Sequence, residues 1–188
     1  YRLCAKAIDT LKSISNKLKF NDFKTCDSLF FAKTKKDVSF LEREFLSRNQ
    51  AGFNIKLMHE KEIKKNYGFS APAAILSSEG ATTDAYMFTH ALLKSGIKTG
   101  LQVFDRTSIA NITYTKKGVK LKTENGHLIH AMKIINATGY EVTEFVDKKI
   151  VQLHSTYAVA SEPLHSEKNP WKSNTILWNT DDPYLYLR

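Results

Sequence analysis

The chain has 188 residues, is 42% hydrophobic and 25% charged, and carries a net charge of +9. That composition can fill a core and excludes global disorder, and the length suits one large domain or two small ones. No run approaches the roughly 20 apolar residues of a transmembrane helix, and no charged-then-apolar leader opens the sequence.

The basic excess is mostly lysine, 23 of 28 residues, scattered as Lys33, Lys35 and Lys36, then Lys61, Lys64 and Lys65, then Lys116, Lys117, Lys120 and Lys122. Nucleic-acid binders concentrate charge on one face and use arginine forks, so a solvated lysine-rich surface is expected and no nucleic-acid partner. A phosphate-bearing ligand would still feel the positive field. Cys4 and Cys26 lack CxxC spacing. One disulfide between them stays open, while reduced thiols in a cytoplasmic protein, acting as small buried hydrophobes, are the simpler reading.

In chain order, residues 1–19 read as an amphipathic helix, with Leu3, Ala7, Ile8, Leu11, Ile14 and Leu18 at intervals of three or four. Ser28 to Lys33 suits a short strand. A second helix follows, with Asp37 as N-cap, Val38, Leu41 and Phe45 on one face, and Gly52 beyond its end. Asn54 to Glu60 is a strand, with Ile55, Leu57 and His59 set against Lys56 and Met58, and Glu60 to Tyr67 a short polar helix. Ala73 to Asp84 predicts a strand, a glycine turn and a helix entry. The next helix runs from about Thr83 to Ser95, with Asp84 in its first turn, Lys94 in its last and Gly96 closing it. Its apolar stripe is Met87, Phe88, Ala91 and Leu92.

From Gly100 the period falls to two. Leu101 to Asp105, Ser108 to Thr115, Val119 to Glu124 and His127 to Ile135 read as strands, with turns at Lys116-Lys117-Gly118 and Asn125-Gly126. The last of them runs on into Asn136-Ala137-Thr138-Gly139 and then Tyr140. Small residues at a strand's carboxyl end let another backbone or a ligand approach closely, which makes this a cofactor-contact loop or a plain strand-to-loop turn. Further strands are expected over His154 to Glu162, Asn174 to Asn179 and Tyr184 to Arg188, with Asp181-Asp182-Pro183 as a turn. The six histidines form no HExxH pattern, and there is no G-x-S-x-G or Walker-type loop.

The order of these segments resembles the FAD-dependent oxidoreductases of the D-amino-acid oxidase, glycine oxidase and sarcosine oxidase superfamily. The residues that carry the likeness are the acid-opened helix after Thr83, Thr107-Ser108-Ile109, the meander, Ile134-Ile135-Asn136-Ala137-Thr138-Gly139, and Ala160 to Leu164. Tyr184 to Arg188 resembles the strand before a glycine-rich cofactor loop. The resemblance implies FAD as cofactor, with Ile109 near its adenine half and Ala137, Thr138 and Gly139 packed close to the dinucleotide. It implies oxidation of the C–N bond of an amino acid or secondary amine. Flavoenzymes of this type often grip a substrate carboxylate through Tyr and Arg; Tyr184, Tyr186 and Arg188 alternate along one predicted strand, and the same spacing suits an ordinary amphipathic strand.

No G-x-G-x-x-G occurs in residues 1–188, and the chain starts and stops inside regular patterns, so an internal excerpt of a longer protein is expected. The expected fold is α+β or α/β, a mixed-sheet substrate domain plus part of a Rossmann-like FAD-binding domain with a three-stranded β-meander. Residues 1–19 and 82–146 are assigned to the cofactor domain, and 20–81 and 147–188 to the substrate domain. The other readings are a non-catalytic α+β binding module with a basic surface, or a flavin dehydrogenase of a hydroxyl-bearing substrate. A homo-oligomer is compatible with either.

Overall fold

The computed structural model describes residues 1–140, 152, 154–160, 162 and 174–188. By packing, the chain divides into two compact units, Tyr1–Leu101 with Pro163–Arg188, and Gln102–Glu162.

The first unit holds helices α1 (Arg2–Leu18), α2 (Val38–Gln50), α3 (Glu60–Tyr67) and α4 (Ala85–Lys98). Its strands are β1 (Lys24–Phe31), β2 (Ile55–His59), β3 (Ala73–Thr82), β7 (Thr175–Asn179) and β8 (Tyr186–Leu187). They form one mixed sheet in the order β2-β3-β1-β7-β8. β1 pairs antiparallel with β3 and parallel with β7, while β2 with β3 and β7 with β8 are antiparallel.

Both faces of this sheet are covered. Odd residues of β1 and β7 and even residues of β2 and β3, namely Leu29, Leu177, Met58 and Ala74, pack with Ile63 and Tyr67 of α3. The opposite parity, Phe30, Ile75, Ile55, Leu57 and Trp178, packs with Leu41, Val38 and Phe45 of α2. Alternation here therefore chooses between two cores. For this reason Met58, expected on the polar side of its strand with Lys56, is 1% exposed. The helix expected to be polar over Glu60 to Tyr67 likewise buries Ile63 and Tyr67.

Helix ends follow local chemistry. Asp84 is the N-cap of α4, its Oδ1 accepting from the Met87 N–H at 2.9 Å, and its own N–H donates to Asp22 Oδ2 at 2.8 Å. Those hydrogen bonds, that from the Asp84 N–H first and Lys24 next, hold the Asp22 carboxyl below its ordinary range. Asp37 starts α2, but its carboxylate turns back to the N–H and hydroxyl of Thr34, both at 2.9 Å, closing a capping box on the short 3₁₀ turn Lys35–Asp37. These bonds lower the Asp37 pKa.

Several expected boundaries move. β3 runs straight through Gly80, where a turn was expected. A Cβ there would sit 2.7 Å from the Cys26 carbonyl oxygen, at the bulge in β1 between Cys26 and Ser28, so the glycine serves close strand approach. α4 continues past Gly96 to Lys98, and of its expected stripe only Phe88 is buried, against Phe20 and Phe23 at ring-centroid distances of 5.2 and 6.2 Å.

The second unit contains the antiparallel sheet β4 (Ile109–Thr115), β5 (Gly118–Thr123) and β6 (Leu128–Ala131) in that order. Its tight turns use Thr115, whose hydroxyl donates to the Gly118 carbonyl at 2.9 Å, and the buried Thr123, whose hydroxyl accepts from the His127 N–H at 3.0 Å. A Cβ at Gly118 would lie 2.3 Å from the Ala131 carbonyl oxygen. Leu101 to Asp105 and Lys133 to Ile135 are irregular, and so are His154 to Ala160; each was expected within a strand. Apolar alternation produces a strand only where a neighbouring backbone supplies hydrogen bonds, and none pairs with these segments among the described residues. Expected features at 161, 163 and 164 lie outside the described residues.

Candidate active site

The first unit contains a cavity of about 420 Å³, within the range of small-molecule sites. It opens on the sheet face that carries α2. The strands supply Ser28 of β1, Ile176 and Trp178 of β7 and Tyr186 of β8, while Cys4, Ala5 and Ile8 of α1 form another wall. Tyr1, Arg48, Glu79 and Tyr184 complete its polar and aromatic lining together with the backbone of Gly80.

Local structure fixes these groups. The Trp178 indole stacks on Phe30 at 4.0 Å and donates from Nε1 to Ser28 Oγ at 2.9 Å. The turn from β7 to β8 is tied by Asn179, whose Oδ1 accepts from the Leu185 N–H at 2.8 Å, which sets Tyr184 with its ring 6.4 Å from Trp178. Lys33 pairs with Asp181 from outside this turn, at 2.5 Å.

Arg48 is 9% exposed. Its Nε and Nη2 both donate to Glu44 Oε1, at 2.7 and 2.6 Å, and its guanidinium lies 4.6 Å from the Tyr1 ring centre and 5.8 Å from that of Phe30. Tyr1 Oη and Ser77 Oγ are 3.4 Å apart. The Ser77 hydroxyl in turn donates to Glu79 Oε2, while Glu79 Oε1 accepts from the Asn54 N–H at 3.4 Å. A polar chain thus runs along one wall from cation to carboxylate.

Of the residues singled out from sequence, Tyr184 and Tyr186 both line the cavity, although the strand there is only two residues long, Tyr186–Leu187, and Tyr184 precedes it. Arg188 is exposed and does not line it. Ile109 begins β4 in the second unit, beside a bulge, and is 41% exposed. Ala137 and Thr138 are exposed on irregular backbone of the same unit, and the exposed Gly139 enters a short 3₁₀ turn; it has φ +64°, and nothing lies within 4 Å of where its Cβ would be. Cys4 and Cys26 are both free, and burial, with Asp27 beside it, pushes the Cys26 thiol up, so it behaves as a small core residue.

Sequence reasoning missed Arg48 and Glu79. Arg48 continues the 38, 41, 45 apolar stripe of α2 at the next expected core position, and a cation on such a stripe is the signal that marks it. Glu79 is the one charged residue in the ten-residue strand β3, otherwise built of small and apolar residues.

The family model described as FAD dependent oxidoreductase matches residues 1–188. No curated protein matches in sequence. Among solved structures, L-proline dehydrogenase from P. horikoshii is similar with a TM-score of 0.66 and 20% identity over 76% of this chain and 39% of its own. Glycine oxidase from Bacillus cereus ATCC 14579 follows with 0.61 and 12% identity, over 69% of this chain and 38% of its own. NikD, an unusual amino acid oxidase essential for nikkomycin biosynthesis, gives 0.59 and 15%, over 70% and 35%. These likenesses bear on fold, and the chain spans about two fifths or less of each structure.

Proposed function

The chain belongs to the FAD-dependent oxidoreductase family, and from that membership we propose that the full-length protein oxidises the C–N bond of an amino acid or secondary amine by hydride transfer to flavin. The family match over the whole chain carries this reading, and the amino-acid oxidases and dehydrogenase among the similar folds support its direction.

In this proposal the bound isoalloxazine supplies the hydride acceptor, and the chain's own residues bind and orient. Ile109 and the open corner Ala137-Thr138-Gly139 contact the dinucleotide, the latter through backbone. The substrate occupies the cavity on the mixed sheet. Tyr184 and Tyr186 offer hydroxyls from adjacent positions of its wall, and Trp178, fixed by Ser28 and Phe30, closes the apolar side and excludes water. Loss of a hydride from the carbon next to nitrogen would turn C–N into C=N, with the proton of the protonated nitrogen released to solvent. Arg188, exposed just after β8 and outside the cavity, meets a substrate carboxylate that extends past the wall.

Purified full-length protein should show flavin absorbance bands, and anaerobic addition of an amino acid or secondary amine should bleach them. Protein that cannot be reconstituted with flavin, or flavin that only hydroxy acids reduce, overturns the proposal. Arg188→Ala should raise KM sharply, and an unchanged KM removes Arg188 from the site.

A further inference from the structure

We infer that the cavity is a cation subsite, with Glu79 as the counter-charge for a protonated or alkylated amine and the ring wall of Tyr1, Trp178, Tyr184 and Tyr186 around it. The inference deepens the functional reading above, and rests on it for the identification of the occupant as substrate.

The charge balance of the lining carries the argument. Among the described residues two charged side chains line the cavity, Arg48 and Glu79. Arg48 already has its counter-ion: two of its nitrogens meet one Glu44 oxygen within 2.7 Å, and the Arg48 side chain is itself largely buried. Glu79 has no basic partner among the described residues. It is held by a hydroxyl and a backbone N–H, which orient a carboxylate without cancelling its charge. Among the described residues the cavity wall therefore carries one uncompensated negative charge, in a chain whose net charge is +9. An anionic ligand meets a guanidinium that is already spoken for; a cationic ligand meets a free carboxylate.

The rest of the lining agrees. Four aromatic side chains, three tyrosines and a tryptophan, border the same volume, and aromatic faces attract ammonium groups that carry apolar substituents. Such attraction is present within the molecule, where the Arg48 guanidinium sits over the Tyr1 ring at 4.6 Å. Gly80, next in sequence to Glu79, adds no side chain to the wall, so the approach to the carboxylate is not narrowed there.

The test uses the full-length flavoprotein with choline and its uncharged isostere 3,3-dimethylbutan-1-ol, followed by calorimetry, which reads binding wherever it occurs, and by the flavin spectrum. Wild type should prefer choline by roughly ten-fold or more, the scale of a desolvated cation–π contact plus a counter-charge. Glu79→Gln, which keeps the shape and the acceptor for Ser77, should abolish that preference, and Glu79→Asp should retain part of it. Equal binding of the two probes to wild type, or an undiminished preference in Glu79→Gln, overturns the proposal. Glu79-dependent choline binding that leaves the flavin spectrum and turnover untouched upholds the cation subsite and removes it from the catalytic reading. Glu79-dependent binding that competes with the reducing substrate upholds both.

Discussion

The mixed sheet of the first unit and the meander of the second are both built from short strands, but they bury very different amounts. Among the described residues, fourteen of the fifteen buried hydrophobic ones lie in the first unit; the second contributes Val119. A five-stranded sheet with α2 on one face and α3 on the other forms two cores. A three-stranded meander leaves Tyr114 and Leu128 exposed at 67% and 69%. The first is held by side-chain packing; the second depends on its backbone ladder and turns, the kind of sheet that is marginal by itself. Strand content is thus a poor guide to where stability resides.

The strongest way to break that contrast is to remove core volume from each unit. Ile75→Ala, at a fully buried position, should cost about 2–5 kcal/mol, whereas Val119→Ala should cost about 1–2 kcal/mol. Denaturant unfolding of the full-length protein, with amide exchange to locate the loss, measures both. Equal costs would erase the distinction. Next come the glycines. Gly118→Ala drives a methyl into the Ala131 carbonyl and Gly80→Ala into that of Cys26, and each should lose about 1–3 kcal/mol. Amide exchange should rise along β5 and β6 in the first variant and along β1 and β3 in the second.

Caps give smaller effects. Asp84→Ala removes the acceptor for Met87 and should cost about 1 kcal/mol, read as a lowered midpoint with faster exchange confined to the first turn of α4. The smallest effect is the acid dependence of the first unit. The Asp37 and Asp22 carboxyls lie below their unfolded values, chiefly through backbone hydrogen bonds from Thr34 and Asp84. Each contribution is complete above an unfolded pKa of about 3.9 and disappears as pH falls through the lower folded value. Asp37→Asn should flatten the decline in stability below about pH 4. An unaltered acid profile would remove Asp37 from that role.

Much of this architecture was legible from residue order. The helices showed through the period of their apolar residues, and Asn125-Gly126 announced its hairpin. What failed was alternation read as inside against outside. In β2 it misassigned Met58, because both faces of the sheet are cores. At Leu101 to Asp105 and Lys133 to Ile135 it marked strands that have no pairing partner among the described residues. Tyr184 and Tyr186 were findable as near neighbours in sequence. Arg48 and Glu79 reach the cavity from α2 and β3, and nothing local announces that they share it.

The parallel pairing of β1 with β7 also sets an order of events during synthesis. Asp27 meets Thr175, and the Trp178 indole meets the Ser28 hydroxyl, across nearly 150 positions. While a ribosome is still short of residue 174, β1 has only β3 beside it, and its other rim is an open template for stray chains. Of the described lining residues, Trp178, Tyr184 and Tyr186 are translated last. A polypeptide stopped before residue 174 therefore has the helices and the carboxylate in hand, but only Tyr1 of the ring wall against which a ligand can settle.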